Sequence, residues 1–325
     1  MSFFSIFLAL VIEQARPMSP SHFLHHWLRK WADWVASHVD GGSRSQAWLA
    51  WGILIGVPAG LAVLIHWCLA FFLGWFFAVA WNVALLYVTL GFRQFSHHFT
   101  GIRDALNDGD EPLARKLLAD WQQVEVTDLP RNEIVRHVIE HSILSAHRHV
   151  FGVFFSYALL SVIGLGPVGA VVYRIAEFAK RYWVTAPTLP QPAATGADEQ
   201  QLDMISESLK TVARESWHSI DWLPSRATAM GFAIMGSFED AMDGWRHHSE
   251  KFPNDNDGVI LAATSGAINV QLGGAALQPD LPGSSSTPGR APELAHFAQV
   301  VGLVWRTVVM WLVLVALLSL ANLLG

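Results

Sequence analysis

The stretch "RHVIEHSILSAHRHVF", residues 136–151, carries His-x-x-Glu-His, the spacing of one class of zinc peptidases. On a helix, His137 and His141 lie four residues apart and share a face, which suits two ligands of one zinc, with Glu140 beside them as a base. Such a site also needs a third ligand and an open position for water. Glu207, Glu215 and Glu239 qualify by residue type alone, in a chain with 15 histidines where the spacing arises by chance. The same stretch reads more simply as a polar helix face of Arg136, His137, Glu140, His141 and His147, opposite Ile134, Val138, Ile139, Ile143 and Ala146. Arg136 and Glu140 are then spaced for an i,i+4 ion pair. His137 and His141 stay candidate metal ligands, with no complete metal site legible.

Three further groups have the chemistry to hold an anion. In "IDWLPSR", Arg226 can bind a phosphate or carboxylate and Asp221 can orient it; an Asp–Arg pair closing a helix end is the plainer reading. Pro224 disfavours helix at Leu223 and so frees backbone groups there. In "PNDNDG", Asn254, Asn256, Asp257 and Gly258 form a polar turn leading into a small-residue helix. Its first amides can receive an anion, or the turn is an ordinary cap. Gly266, Gly273 and Gly274 are expected to let helices pack closely. Arg148 and His149 stand where a helix meets an apolar run, either binding a ligand or anchoring at lipid headgroups.

The elements that position these residues are set by hydrophobicity. Of the 325 residues, 52% are hydrophobic and only 15% charged, against roughly 25% charged in soluble domains. No charged residue occurs between Arg44 and Arg93, leaving room for a transmembrane hairpin (47–92) of two spans of about 20 residues each. Val150 to Tyr173 offers a third span, within a segment taken as 150–174, and the residues after Arg306 a fourth, within 294–325. The expected fold is all-α, a multi-pass integral membrane protein with interfacial amphipathic helices and a helical polar region at 93–149.

"MSFFSIFLALVI" has the apolar core of a signal peptide without a basic leader or small-residue cleavage site, and is expected to be a retained, partly inserted helix. Residues 21–38 place Phe23, Leu24, Trp27, Leu28, Trp31, Trp34 and Val35 on one face, as an interfacial helix does; together these form an N-terminal segment, 1–46. In "NDGDEP", Asp110 or Glu111 can cap a helix opened by Pro112. Residues 184–200, inside a polar region 175–221, and residues 276–293 read as flexible linkers. Residues 222–275 read as membrane-associated helices. Basic residues in 16–46 and 93–149 place both segments on one side, the cytoplasm of a bacterial inner membrane. Cys68 is the single cysteine and forms no intrachain disulfide, and the net charge of −6 with scattered basic residues argues against nucleic-acid binding.

Two blocks of the chain carry a resemblance. The first runs from "GIRDALNDGDEPLARKLLADW" through "GLGPVGAVVYR", the second from "IDWLPSR" to "FPNDNDGVILAATSGAINVQLGG". In this order they resemble the superfamily that joins the cobalamin-biosynthesis proteins CobD/CbiB with the AmpE membrane proteins. The CobD/CbiB resemblance implies adenosylcobinamide-phosphate synthase chemistry, the joining of an aminopropanol (phosphate) amine to a carboxylate of adenosylcobyric acid. It also implies Mg²⁺ and ATP as cofactors and a corrinoid or other carboxylate-bearing ligand as partner beside the lipid bilayer, and is compatible with an oligomer. Carried over, Glu140 and Asp221 are candidate catalytic carboxylates, with Arg136, Arg148, Arg226, Asn254, Asn256, Asp257 and Gly258 in ligand binding. Where the synthase pattern has Glu-Asn and then Asp after Arg-x-x-x-Glu, this chain has Leu144, Ser145 and Arg148; the Asp-Asp pair ahead of the second motif is Trp217 and His218. Those departures remove acidic groups. Arg148 and "DWLPSR" look like the AmpE branch, which implies a non-catalytic cell-envelope sensor or accessory protein as the second functional class.

Overall fold

The computed structural model describes residues 2–15, 23–90, 92–122, 129–185, 205–277 and 283–324. In chain order their α-helices are α1 (Ser2–Ala15), α2 (Phe23–Val39), α3 (Arg44–Phe72), α4 (Trp75–Thr89), α5 (Phe92–Asn107), α6 (Glu111–Gln122), α7 (Arg131–Ala146), α8 (Gly152–Val162), α9 (Val168–Thr185), α10 (Glu207–Met235), α11 (Phe238–His248), α12 (Asp255–Ile268) and α13 (Ala295–Leu324). A π-helical turn, His147–Phe151, joins α7 to α8. No β-strand occurs among the described residues, and an isolated bridge links Val270 to Arg290.

Three helical stretches are long and apolar enough to cross a membrane: Arg44–Phe72, Arg131–Val162 and Ala295–Ala321. Large apolar side chains point outward at the ends of α3, α4 and α8, with Phe71 84% and Val162 82% exposed. Water does not tolerate so much exposed apolar surface, whereas lipid does. The chain is an all-α membrane protein. The charge-free run after Arg44 folds as α3 and α4, and α4 is only 15 residues long. The span expected over Val150–Tyr173 is not one helix: α8 stops at Val162 and α9 begins at Val168. Gly164 (φ 79°) and Gly166 (φ 56°) adopt left-handed backbone there, and Pro167 follows, a combination that ends a helix. The long apolar helix instead runs back to Arg131.

The chain divides into two compact units. One comprises residues 18–89 and 156–221. In it Ser43 and Gln46 form a capping box at the start of α3, and α2 packs on α3 through buried Ala32 and Val35, with Trp31 Nε1 donating to Leu54 O at 3.3 Å. Trp27 and Trp34, stacked on Trp31 from either side, stay half exposed. Trp81 Nε1 donates to Ala62 O at 3.1 Å and ties α4 to α3. α9 also runs along α3: a Cβ on Gly166 would lie 3.1 Å from the His66 ring, and Trp67 Nε1 donates to Gly164 O.

The other unit comprises residues 1–17, 90–155 and 222–325. α1 packs on α13 through Ile6, Ala9 and Leu10. Asp110 caps α6 by accepting from Leu113 N at 3.0 Å, and α7 is enclosed by α5, α6, α12 and α13. α11 and α12 are antiparallel and touch through their backbones. A Cβ on Gly244 would lie 2.5 Å from Ala262 O, and one on Gly266 would collide with Asp240 O. Gly273 and Gly274, expected to serve helix packing, lie beyond α12 with φ of 82° and 136° and turn the chain.

Two other expectations are revised. Pro224 lies inside α10 and does not end a helix; neighbouring buried side chains, Ser225, Thr228 and Ala229, hold the helix through it. Residues 283–293, expected as flexible linker, are tied to the chain after α12: Ser284 N donates to Gly274 O at 2.8 Å and Thr287 N to Leu272 O at 2.7 Å. Of the linker at 184–200, Val184 and Thr185 belong to α9 and residues 186–200 lie outside the described residues.

Candidate anion-binding site at the start of α12

Arg148 lies in the π-helical turn after α7, where one extra residue per turn redirects the side chains. Its Nη2 donates to both carboxylate oxygens of Asp257, at 2.9 and 2.8 Å. Asn254, the N-cap residue of α12, donates its amide to Asp257 Oδ2 at 2.9 Å and makes no side-chain cap bond. Gly258 N closes the turn onto Asn254 O at 2.7 Å. A Cβ on Gly258 would collide with Ser249 O, so that position needs glycine for close approach.

From α10, Arg226 reaches the same turn. Its Nη1 donates to Asn256 Oδ1 at 3.1 Å and to Trp222 O at 2.9 Å, with the guanidinium carbon 4.2 Å from the Trp222 ring centroid. The amide oxygen directs Arg226 towards the turn, and the aromatic face fixes its plane. Arg148, Arg226, Asn254, Asn256, Asp257 and Gly258 are thus brought together on the first turn of α12, from three segments of chain. His147, fully buried beside Arg148, meets Thr228 Oγ1 at 2.9 Å. His149 bonds back to Ser145 O. Arg148, read as a ligand residue or headgroup anchor, is turned onto Asp257 and is 24% exposed.

Arg136 and Glu140 make their i,i+4 pair, Nη1 to Oε1 at 3.0 Å, within a larger network. Arg136 also holds Glu133 at 2.6 Å and the carbonyl of Ala275 at 2.8 Å, while Glu140 accepts from Gly273 N at 2.7 Å. The expected polar face of α7 is therefore buried, with Arg136 3% and His137 6% exposed. Its polar groups fix the turn after α12. Glu133 was legible three residues before Arg136; its role as second partner was not singled out.

The histidines of the zinc spacing point to other work. His137 Nε2 accepts from Arg136 Nη2 at 2.8 Å, a cation where a metal ion would have to sit. His141 packs edge-on to Trp121 at 4.4 Å. Among the described residues no three His, Cys, Asp or Glu side chains are grouped to hold a metal. For Mg²⁺ the available carboxylates Glu133, Glu140 and Asp257 are each held by an arginine. Those donors do not form a cation site of their own.

In the other unit, Asp221 is fully buried and accepts from Tyr173 OH at 2.8 Å. This joins "GLGPVGAVVYR" to "IDWLPSR". Trp217 packs on the Tyr173 ring at 5.1 Å and is 3% exposed. One of the replaced acidic positions is thus a core aromatic.

A family model, CobD/CbiB protein, matches residues 5–180, just over half of the chain. The chain belongs to the CobD/CbiB family. One family member it resembles is the cobalamin biosynthesis protein CobD of Stutzerimonas stutzeri (strain A1501), 25% identical over 291 residues, 86% of each chain. Another, of the same name from Chromobacterium violaceum, is 28% identical over 194 residues, 60% of this chain and 55% of the relative. A CobD of Leptospira interrogans is 23% identical over 214 residues, 62% of this chain and 59% of that one. No solved structure matches. Both the family and the names of these relatives fall on the cobalamin side of the resemblance, and the two blocks that carry it are the ones Tyr173 and Asp221 connect.

Proposed function

We propose that this CobD/CbiB-family chain works in cobalamin biosynthesis as a multi-pass protein of the bacterial inner membrane, binding the carboxylate or phosphate of a corrinoid-pathway substrate at the start of α12. The observation that carries the reading is the convergence of Arg148 and Arg226 on Asn254–Gly258, with Asp257 and Asn256 orienting them. Arg226 presents a planar guanidinium to an incoming anion, its plane held by Trp222 and its direction by Asn256. Arg148 and Asp257 brace the turn, and the first amides of α12 add their partial positive charge. The chemistry such a seat serves best is amide formation between an amine and a substrate carboxylate, in which anchoring an anionic substituent places the reacting carbonyl. Mg²⁺ and ATP, if used, would have to enter with substrate phosphates, since Glu133, Glu140 and Asp257 are engaged by arginines.

Complementation tests this. The chain is expressed in a bacterium lacking adenosylcobinamide-phosphate synthase, supplied with cobyric acid and dependent on cobalamin for growth. Rescue is expected, with loss on Arg226→Ala. Membrane-inserted protein without rescue would remove the synthase reading.

A further inference from the structure

The unit built from residues 18–89 and 156–221 contains a cavity of about 190 Å³, separate from the α12 site. Its walls are mainly apolar, with Trp27 of α2, Pro58 of α3, Val88 of α4 and Phe178 of α9 among them, and two arginines, Arg174 and Arg181, close one side. Both reach the buried Glu177, each at 3.3 Å, so two guanidinium groups share one carboxylate. Arg174 is 16% exposed and Arg181 59%. Burial lowers the Arg174 pKa from its ordinary value, and Glu177 works in the opposite direction.

Position decides what such a cavity takes. From Arg174 back to Val150 the chain carries no charge, nor does any residue between Arg44 and Arg93. Gly166 at one end of α9 lies against His66, and Tyr182 near its other end donates to Asp33 of α2 at 2.7 Å. Along α9, moving from the apolar tips of α3, α4 and α8 towards α2, the first charges met are therefore Arg174, Glu177 and Arg181. α4 rises only about 22 Å, short of the roughly 30 Å hydrocarbon core. The two arginines and Trp27 thus mark a boundary between apolar and polar protein, where headgroups lie.

We infer that this unit binds an anionic glycerophospholipid, with an acyl chain in the cavity and its phosphate on Arg174 and Arg181. One phosphodiester balances the excess of two guanidinium groups over one carboxylate, and the apolar walls exclude a small hydrophilic anion.

The full chain, reconstituted in nanodiscs containing equal phosphatidylglycerol and phosphatidylcholine, is extracted with mild detergent, and retained lipid is counted by native mass spectrometry. One phosphatidylglycerol per chain is expected, in clear excess over phosphatidylcholine. Arg181→Gln, at an exposed position, should lower that preference about fivefold. Val88→Phe fills the cavity without touching a charge and should abolish retention of both lipids. Arg174→Gln removes the more buried of the two ion pairs to Glu177, so the first two variants, shown folded by circular dichroism, carry the test. Equal retention of the two lipids overturns the inference, as does unchanged retention in either variant. Displacement of phosphatidylglycerol by inorganic phosphate alone would assign the arginines to free phosphate and also overturn it.

Discussion

Replacing Asp257 by alanine takes away the carboxylate that both Arg148 and Asn254 address. Breaking a fully buried ion pair by removing one partner costs about 3–5 kcal/mol, whereas exposed pairs contribute about 0–1 kcal/mol. Arg148 and Asp257 are 24% and 16% exposed, nearer the buried end, and one Nη2 contacts both carboxylate oxygens below 3 Å. A coupling of about 2 kcal/mol is expected between them. The Asn254 bond adds about 1 kcal/mol, so Asp257→Ala alone should cost about 3 kcal/mol and Arg148→Ala about 2 kcal/mol. The double variant should cost little more than Asp257→Ala, because the pair is already lost. Denaturant titration of the four proteins in detergent, followed by tryptophan fluorescence, closes the cycle. A coupling below about 0.5 kcal/mol would place the pair among ordinary surface contacts and refute its role in bracing the turn at Asn254–Gly258.

Gly266→Ala pushes a methyl into the Asp240 carbonyl, and the thermal midpoint should fall by the equivalent of about 1–3 kcal/mol. Thr228→Val removes one hydrogen bond of buried His147; a loss of about 1 kcal/mol is expected in the denaturant titration. Pro224→Ala returns a backbone donor to α10, so the midpoint should rise, by at most about 3 kcal/mol in stability; a fall would show that packing of the ring outweighs the missing hydrogen bond.

Charge-free length was legible, and so was a cap: α6 follows Asp110. These are signals from neighbouring residues. The Arg136–Glu140 pair belongs to the same kind, since its spacing is one helical turn. Harder to read were features decided by distant contacts. Pro224 stays in a helix because buried neighbours outweigh its local preference. The polar composition of 283–293 hides backbone bonds to residues before it. Nothing in the spacing of Tyr173 and Asp221, 48 residues apart, announces their hydrogen bond. The candidate residues of the α12 site were nameable singly, by type and motif; that Arg148 would choose Asp257 and Arg226 would choose Asn256 depended on how α7, α10 and α12 pack.

The π-helical turn at His147–Phe151 also changes how the helix around it is to be numbered. A helix with one residue too many is two registers spliced together, much as a screw thread restarted part-way along its shaft. Side chains up to Ala146 keep time with the buried network of Arg136 and Glu140, while those from Gly152 onward keep time with an apolar environment. Neither stretch has to compromise for the other. The cost of that freedom is concentrated in five residues, and they are the ones that carry His147 and Arg148. A change of chain length there, in either direction, would leave every side chain chemically intact and yet present half the helix to the wrong neighbours.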